Sequence, residues 1–190
     1  MDRSNGYEAI AHTFAEARSN SIGATKVREW ARILAPGATI LDIGCGSGVP
    51  ISQVLIEDGF NVFGVDASAT LVQEFRQRFP SQMVECSTVE DSSFFDRKFD
   101  AVVSWGLMFL LTADAQRELI GKVARALNPG GHFLFTSPRD VCTWLDGMTG
   151  HESRSLGQDA YEACFQENGL ELVGNAVDEG ENYYYFACMT

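Results

Sequence analysis

Three glycines alternate with other residues over 44–48, directly after the apolar run Thr39–Ile43. Glycines at this spacing let the backbone turn tightly and approach a ligand closely. A helix that follows such a turn presents unpaired N–H groups to the same ligand. A purely structural turn would need one or two glycines, so the pattern predicts a ligand-binding loop between a strand and a helix.

The residues around the glycines indicate the kind of ligand. Asp42 lies at the end of the apolar run, where its carboxylate would repel a pyrophosphate and suit a cationic amino group. Dinucleotide loops carry G-x-G-x-x-G, whereas Val49 stands at the third glycine position here. A nucleotide-cofactor oxidoreductase is therefore a disfavoured alternative. No lysine follows the loop, which excludes a P-loop.

Asp66 is the second candidate ligand residue. It follows a second apolar run, Asn61 to Val65, and is 18 residues beyond Gly48. An acid at the end of the second strand accepts hydrogen bonds from ribose hydroxyls. Ser68 suits the role of N-cap of the following helix better than Asp66 does, which leaves Asp66 for the ligand.

The elements that position these residues alternate between strand and helix. Apolar periodicity predicts helices over 5–17, 24–34, 50–58, 69–79, 113–127 and 158–168. It predicts strands over 39–43, 61–65, 83–86, 99–104, 132–136, 170–177 and 182–188, with a turn over 128–131. This alternation is typical of a doubly wound parallel sheet. The last two strands are joined by four polar residues, so they form an antiparallel hairpin.

The chain resembles a class I S-adenosylmethionine-dependent methyltransferase of the small-molecule type. Four stretches carry the resemblance: the glycine loop, Asp66, the run Phe99–Ser104 and the turn 128–131 before the fifth strand. It implies a seven-stranded Rossmann-like fold of α/β class: a doubly wound, mostly parallel sheet with a C-terminal antiparallel hairpin and helices on both faces.

The resemblance also implies the cofactor, S-adenosylmethionine, and the residues that bind it. Asp42 would face the amino group, Asp66 the ribose hydroxyls and Ala67 the adenine. Thr88 stands where many relatives have an adenine-binding Asp, so Glu90 could serve instead. The full set of expected cofactor-binding residues is Asp42, Gly44, Cys45, Gly46, Gly48, Asp66, Ala67, Thr88, Val89, Glu90, Ser104 and Trp105.

Methyl transfer from a sulfonium needs an aligned nucleophile more than it needs a catalytic dyad. A base is required only where the acceptor must lose a proton. Trp105 could stabilise the cation with its ring, or it could simply pack. His151 and His12 are candidate bases, although a solvent-exposed loop histidine and a structural histidine are the commoner roles for these two positions.

Composition narrows the partners. The chain carries 26 Asp and Glu against 14 Lys and Arg, a net charge of −12. Nucleic acids and anionic membranes bind clustered basic residues, and none cluster along this sequence, so neither is expected. The absence of a long apolar run and of a signal-peptide pattern favours a cytoplasmic protein. Five dispersed cysteines and three dispersed histidines predict reduced thiols and no metal site.

The length of 190 residues fits one domain, 1–190. The N-terminal helices within 1–36 are expected to form a lid, and the irregular stretch 137–156 to contribute to an acceptor site. Their aromatic and apolar residues favour a small, apolar or aromatic methyl acceptor, with a protein substrate as an alternative. If the chain is not an enzyme, the alternative is a non-catalytic subunit with the same fold that binds the cofactor or a partner protein.

Overall fold

The structure, a computed structural model, describes residues 3–190. Its strands are β1 (Thr39–Ile43), β2 (Asn61–Asp66), β3 (Met83–Cys86), β4 (Phe99–Ser104), β5 (Leu127–Thr136), β6 (Cys142–Leu145), β7 (Glu152–Ser155), β8 (Leu170–Val177) and β9 (Tyr183–Met189). Its α-helices are α1 (Ala11–Ala17), α2 (Ala24–Ala31), α3 (Ile51–Glu57), α4 (Ala69–Arg78), α5 (Ala113–Ala126) and α6 (Gln158–Glu167).

The main sheet has seven strands in the order β3-β2-β1-β4-β5-β9-β8. The first five are parallel, while β9 runs antiparallel to both β5 and β8. The predicted fold class is therefore confirmed. The strand order reverses between β1 and β4, and ligands of open α/β sheets bind beside such a reversal at the carboxyl ends of the strands.

Two apolar cores cover the two faces of the sheet. Alternate residues of β1 enter different cores: Ile40 packs with α2 and α3, whereas Leu41 packs with α5 and α6. This alternation follows from the two-residue period of a strand. Helices and apolar side chains cover both faces of the sheet. Polar side chains can therefore meet at the carboxyl ends of the strands, which are open to solvent.

The glycine loop connects β1 to α3 and is hydrogen-bonded to β2. The amides of Gly44 and Cys45 donate to the carbonyl oxygen of Val65 at 2.7 and 3.2 Å. Gly44, Gly46 and Gly48 all have positive φ values, between 53° and 84°. Only glycine adopts this backbone region readily, so the predicted reason for the glycines is confirmed in the geometry of the loop.

Four of the predictions for individual elements were wrong. The first helix region begins with a 3-10 turn at Glu8–Ile10 rather than at residue 5, and α2 ends at Ala31. The predicted turn 128–131 is the irregular start of β5, where the register against β4 shifts. The stretch 137–156 is not wholly irregular, because β6 and β7 pair as a separate antiparallel hairpin.

Gly48→Ala tests how tightly the loop is packed. An added Cβ would lie 2.5 Å from Phe79 Cε2 and 2.9 Å from Phe75 Cδ2, at a φ of +84°. Backbone strain and overpacking together should lower the free energy of unfolding by about 2–5 kcal/mol in urea titrations. Gly59→Ala is the control, since its φ of +87° is similar but no atom lies within 4 Å of the added Cβ. Equal losses in the two variants would contradict overpacking at Gly48.

Candidate active site

A cavity of about 300 Å³ opens at the carboxyl ends of the parallel strands. Its walls come from the glycine loop, from the segments after β2, β3 and β4, and from the N-terminal residues that cross above them. The predicted ligand residues that line it are Gly44, Gly46, Asp66, Ala67, Thr88, Val89, Glu90 and Trp105. The structure thus brings together residues from four separate parts of the sequence.

Asp66 ties two of these walls to each other. Its Oδ2 accepts a hydrogen bond from the amide of Gly46 at 2.8 Å, and its Oδ1 accepts one from the amide of Ser68 at 2.8 Å. Burial raises the pKa of Asp66, whereas the Ser68 and Gly46 hydrogen bonds and the Arg18 guanidinium act in the opposite direction. Each carboxylate oxygen has a second lone pair, so Asp66 can also accept from a ligand hydroxyl.

Arg18 enters the cavity from the end of α1. Its guanidinium carbon lies 5.0 Å from the ring centroid of Phe14 and 4.7 Å from that of Trp105. Its Nε donates to the carbonyl oxygen of Val49 at 2.8 Å. Burial lowers the pKa of Arg18, and the nearby Asp42 carboxylate raises it. Arg18 is therefore a cation held in the cavity lining with acidic groups near it.

Asp42 lies behind the cavity wall, with 2% of its surface exposed. Its Oδ2 accepts a hydrogen bond from Ser52 Oγ at 2.6 Å. Burial raises the pKa of Asp42 to about 7, while the Ser52 hydroxyl and the Arg18 guanidinium oppose the rise. Asp42 consequently changes its charge near neutral pH.

The N-terminal residues 3–18 form a strap across the cavity. Glu8 accepts hydrogen bonds from the amide and hydroxyl of Thr70 at 3.2 and 2.8 Å, and it also accepts from Ser68 Oγ. Tyr7 OH donates to Asp146 Oδ2 at 3.2 Å, in the turn between β6 and β7. The two regions predicted as lid and acceptor segment thus touch each other over the cavity.

Several predicted residues lie outside the cavity lining. Ser104 is fully buried in β4 and its hydroxyl has no partner among the described residues, while Gly48 and Asp42 lie behind the loop. The Cys45 side chain points away from the loop surface, because its Sγ occupies the space that a Cβ at Gly64 would need.

The two candidate catalytic histidines also lie outside the cavity lining. The His12 side chain is 82% exposed, and its Nδ1 lies 3.6 Å from Glu74 Oε1, so His12 is not packed in the core as a structural histidine would be. His151 is exposed, and its Nδ1 is 3.2 Å from Asn5 Oδ1. Trp105 is the one candidate that reaches the cavity.

Sequence reasoning missed other lining residues, chiefly Asn5, Arg18 and Leu107. One signal was available for Arg18, since it stands four residues after Phe14, a spacing that brings side chains together along a helix. Asn5 Nδ2 is buried and has no partner among the described residues. An unpaired buried donor is costly, and its position in the lining fits a cavity that takes a polar ligand.

The fold also brings Arg97 to a groove beside three cations of α5. A wider groove of about 780 Å³ along α5 is lined by Arg97, Arg117, Lys122 and Arg125. Lys122 Nζ donates to the carbonyl oxygens of Val89 and Glu90, and the Arg97 guanidinium lies 4.4 Å from the Phe63 ring centroid. These contacts are internal, and the Lys122 contact fastens the segment after β3 that lines the cavity.

Residues 3–190 lack two features that would point to other functions. No helix in this range is long and apolar enough to cross a membrane. No group of His, Cys, Asp and Glu in the same range could hold a metal ion.

Comparison with known proteins agrees with the fold. The methyltransferase domain family matches residues 40–131. A probable tRNA methyltransferase 9B of Bos taurus is 32% identical over 129 residues, which cover 67% of this chain and 27% of that protein. A ubiquinone biosynthesis O-methyltransferase of Idiomarina loihiensis is 30% identical over 124 residues, which cover 61% of this chain and 49% of that protein.

A solved structure shows the same architecture. The magnesium protoporphyrin IX methyltransferase of Synechocystis, crystallised with S-adenosylmethionine, aligns with a TM-score of 0.70 at 15% identity, over 95% of this chain and 81% of that one. Residues 40–131 thus match the methyltransferase domain family, and the strand order is that of the predicted seven-stranded Rossmann-like sheet. The chain spans 27% of the length of the tRNA methyltransferase relative.

The pKa of Asp42 is directly testable. We expect carboxyl carbon NMR to show Asp42 titrating near pH 7, and Ser52→Ala to raise that pKa further, because the serine hydroxyl stabilises the carboxylate. The unfolded chain releases this proton near pH 4. The contribution of Asp42 to the free energy of folding therefore becomes less favourable as pH rises from about 4 to 7. Titration of Asp42 at its ordinary value would contradict this account.

Proposed function

We propose that this chain binds S-adenosylmethionine in the cavity at the carboxyl ends of the strands and transfers its methyl group to a small acceptor. The bound cofactor would supply a methyl group already activated by a sulfonium. The observation that carries the proposal is the placement of the Arg18 guanidinium, which is packed on Trp105 and bonded to Val49 beside the glycine loop, in the same cavity as Asp66. This arrangement complements a ligand that has a ribose at one end and a zwitterionic amino acid at the other.

Asp66 and its neighbours would hold the nucleoside part. The carboxylate of Asp66 would accept the ribose hydroxyls, as acids at this position of the fold do. Ala67, Thr88 and Val89 would lie against the adenine, since all three line the cavity beyond Asp66. Gly46 would let the backbone approach the ligand, because an added Cβ there would meet only Leu71, at 3.8 Å.

Arg18 and Asp42 would hold the amino-acid part. A guanidinium binds a carboxylate by charge-assisted hydrogen bonds, and two aromatic rings hold the Arg18 guanidinium inside the cavity. Asp42 is buried behind the wall, so its carboxylate would act on the amino group through a water molecule. Both residues are close to the glycine loop. Asp42 lies in β1, just before the loop, and Arg18 donates a hydrogen bond to the carbonyl oxygen of Val49, just after it.

The acceptor would bind beneath the strap, on the Trp105 side of the cavity. The lining there is largely apolar, with Phe14, Trp105, Leu107 and Phe109 among its residues, and Trp144 of β6 packs on Phe109 at 5.5 Å between ring centroids. Such walls suit a small apolar or aromatic molecule. The chain's contribution to rate would be to align the acceptor and exclude water, because neither candidate histidine lines the cavity.

A calorimetric titration tests cofactor binding. The protein should bind S-adenosylmethionine and S-adenosylhomocysteine but not NADH, and Asp66→Ala should weaken both. Arg18→Gln should weaken S-adenosylhomocysteine about 10- to 100-fold, the value of a charge-assisted hydrogen bond. It should leave 5′-methylthioadenosine, which lacks the amino-acid end, unchanged. Arg32→Gln, at an exposed site on the surface, is the control. Absence of adenosyl-ligand binding by the folded protein would refute the proposal.

A labelled-methyl assay tests the acceptor class. Cell extract separated by ultrafiltration should accept label from S-adenosylmethionine in the low-molecular-mass fraction and not in the protein or RNA fraction. Phe109→Ala should reduce transfer several-fold while leaving S-adenosylhomocysteine binding within twofold, because it removes an acceptor wall. Label in a macromolecule would replace the small acceptor with a larger one. Binding without any transfer would favour a non-catalytic subunit.

A further inference from the structure

One buried carboxylate organises the turn between β8 and β9. Asp178 is 7% exposed. Its Oδ1 accepts hydrogen bonds from the amides of Gly180 and Asn182 at 2.9 and 3.0 Å, and the Asn182 side-chain amide lies 3.0 Å from both carboxylate oxygens. Asn182 lines the cavity. Asp178 therefore fixes one cavity residue through its own turn.

The same carboxylate reaches a second cavity residue through Tyr184. Tyr184 OH donates to Asp178 Oδ2 at 2.8 Å and accepts from Trp105 Nε1 at 2.6 Å. An indole N–H can only donate and a carboxylate can only accept, so the direction of both bonds is fixed. Tyr184 is fully buried. Burial and the Asp178 carboxylate raise its pKa, so the hydroxyl keeps its proton.

The space around this chain of bonds is filled. A Cβ added to Gly23, the residue before α2, would lie 2.6 Å from Trp105 Nε1 and 2.8 Å from Tyr184 OH. The indole of Trp105 therefore cannot turn away from Tyr184 without losing its hydrogen bond or colliding with the backbone. One face of this indole lies against the Arg18 guanidinium, at 4.7 Å.

We propose that Tyr184 and Asp178 are positioning residues, which hold Trp105 and through it Arg18 in the orientation that binds the amino-acid end of the cofactor. The inference rests on the proposed function. A series of contacts connects the β8–β9 turn to the cofactor site: Asp178 contacts Tyr184, Tyr184 contacts Trp105, and Trp105 contacts Arg18. Tyr184 itself is absent from the cavity lining, so it acts through another residue.

Tyr184→Phe removes both hydrogen bonds and keeps the ring. We expect the Kd of S-adenosylhomocysteine to rise about three- to tenfold. This is the effect of losing one or two ordinary hydrogen bonds that hold the binding site in its bound conformation. The Kd of 5′-methylthioadenosine should change less than twofold, because this ligand does not reach Arg18. A merely structural defect would weaken both ligands alike.

Tyr185→Phe is the matched control. Tyr185 is the next residue of β9, is equally buried, and donates to the carbonyl oxygen of Pro138 on the other face of the sheet. It should leave both Kd values unchanged.

A double-mutant cycle supplies the second arm. If Tyr184 acts through Trp105, then Tyr184→Phe should have no further effect on S-adenosylhomocysteine binding in a Trp105→Phe background. Additive effects, an unchanged Kd in Tyr184→Phe, or equal weakening of both ligands would overturn the inference. If the wild-type protein binds neither adenosyl ligand, the proposed function fails first, which is a distinguishable result.

Discussion

The half-buried guanidinium of Arg18, which has the carboxylates of Asp42 and Asp66 near it, constrains the whole site. Removing Arg18 from water is costly, and the protein offsets this with Asp42, Asp66 and two aromatic faces. Each partner comes from a different element, so the elements must be held in register. The glycine loop is fixed to β2, the strap is fixed to α4 through Glu8, and Trp105 is fixed to β9.

The fold was largely predictable because its signals are local. Each parallel strand is a short apolar run, each helix has an apolar stripe, and glycines or prolines separate them. The β6–β7 hairpin was missed because its buried positions are not apolar: β7 buries Ser153 and Ser155, whereas Leu145 of β6 is 72% exposed. Its existence depends on pairing and on contact with the strap, which short-range patterns do not reveal.

The residues of the site also divide into those that local sequence signals identify and those that only the folded structure brings together. Residues within the glycine motif and at the strand ends were identified, because they follow one another along the chain or occupy fixed places in the fold. Arg18 and Leu107 were missed because only folding brings them to the cavity, and Arg97 likewise joins the cations of α5 only in three dimensions. Cys45 shows the opposite limit: its motif position was identified, but its side chain lies under the loop.

The position of β9 has a consequence for the order in which the molecule can assemble. β9 lies between β5 and β8, so β8 is separated from the parallel strands until β9 enters. Tyr184 belongs to β9 and is 79 residues from Trp105. During synthesis the glycine loop, Asp66 and Trp105 therefore all emerge before the strand that anchors the indole. A nascent chain can form the part of the cavity around Asp66 early, whereas the part around Trp105 and Arg18 is completed only when the final strand closes the sheet.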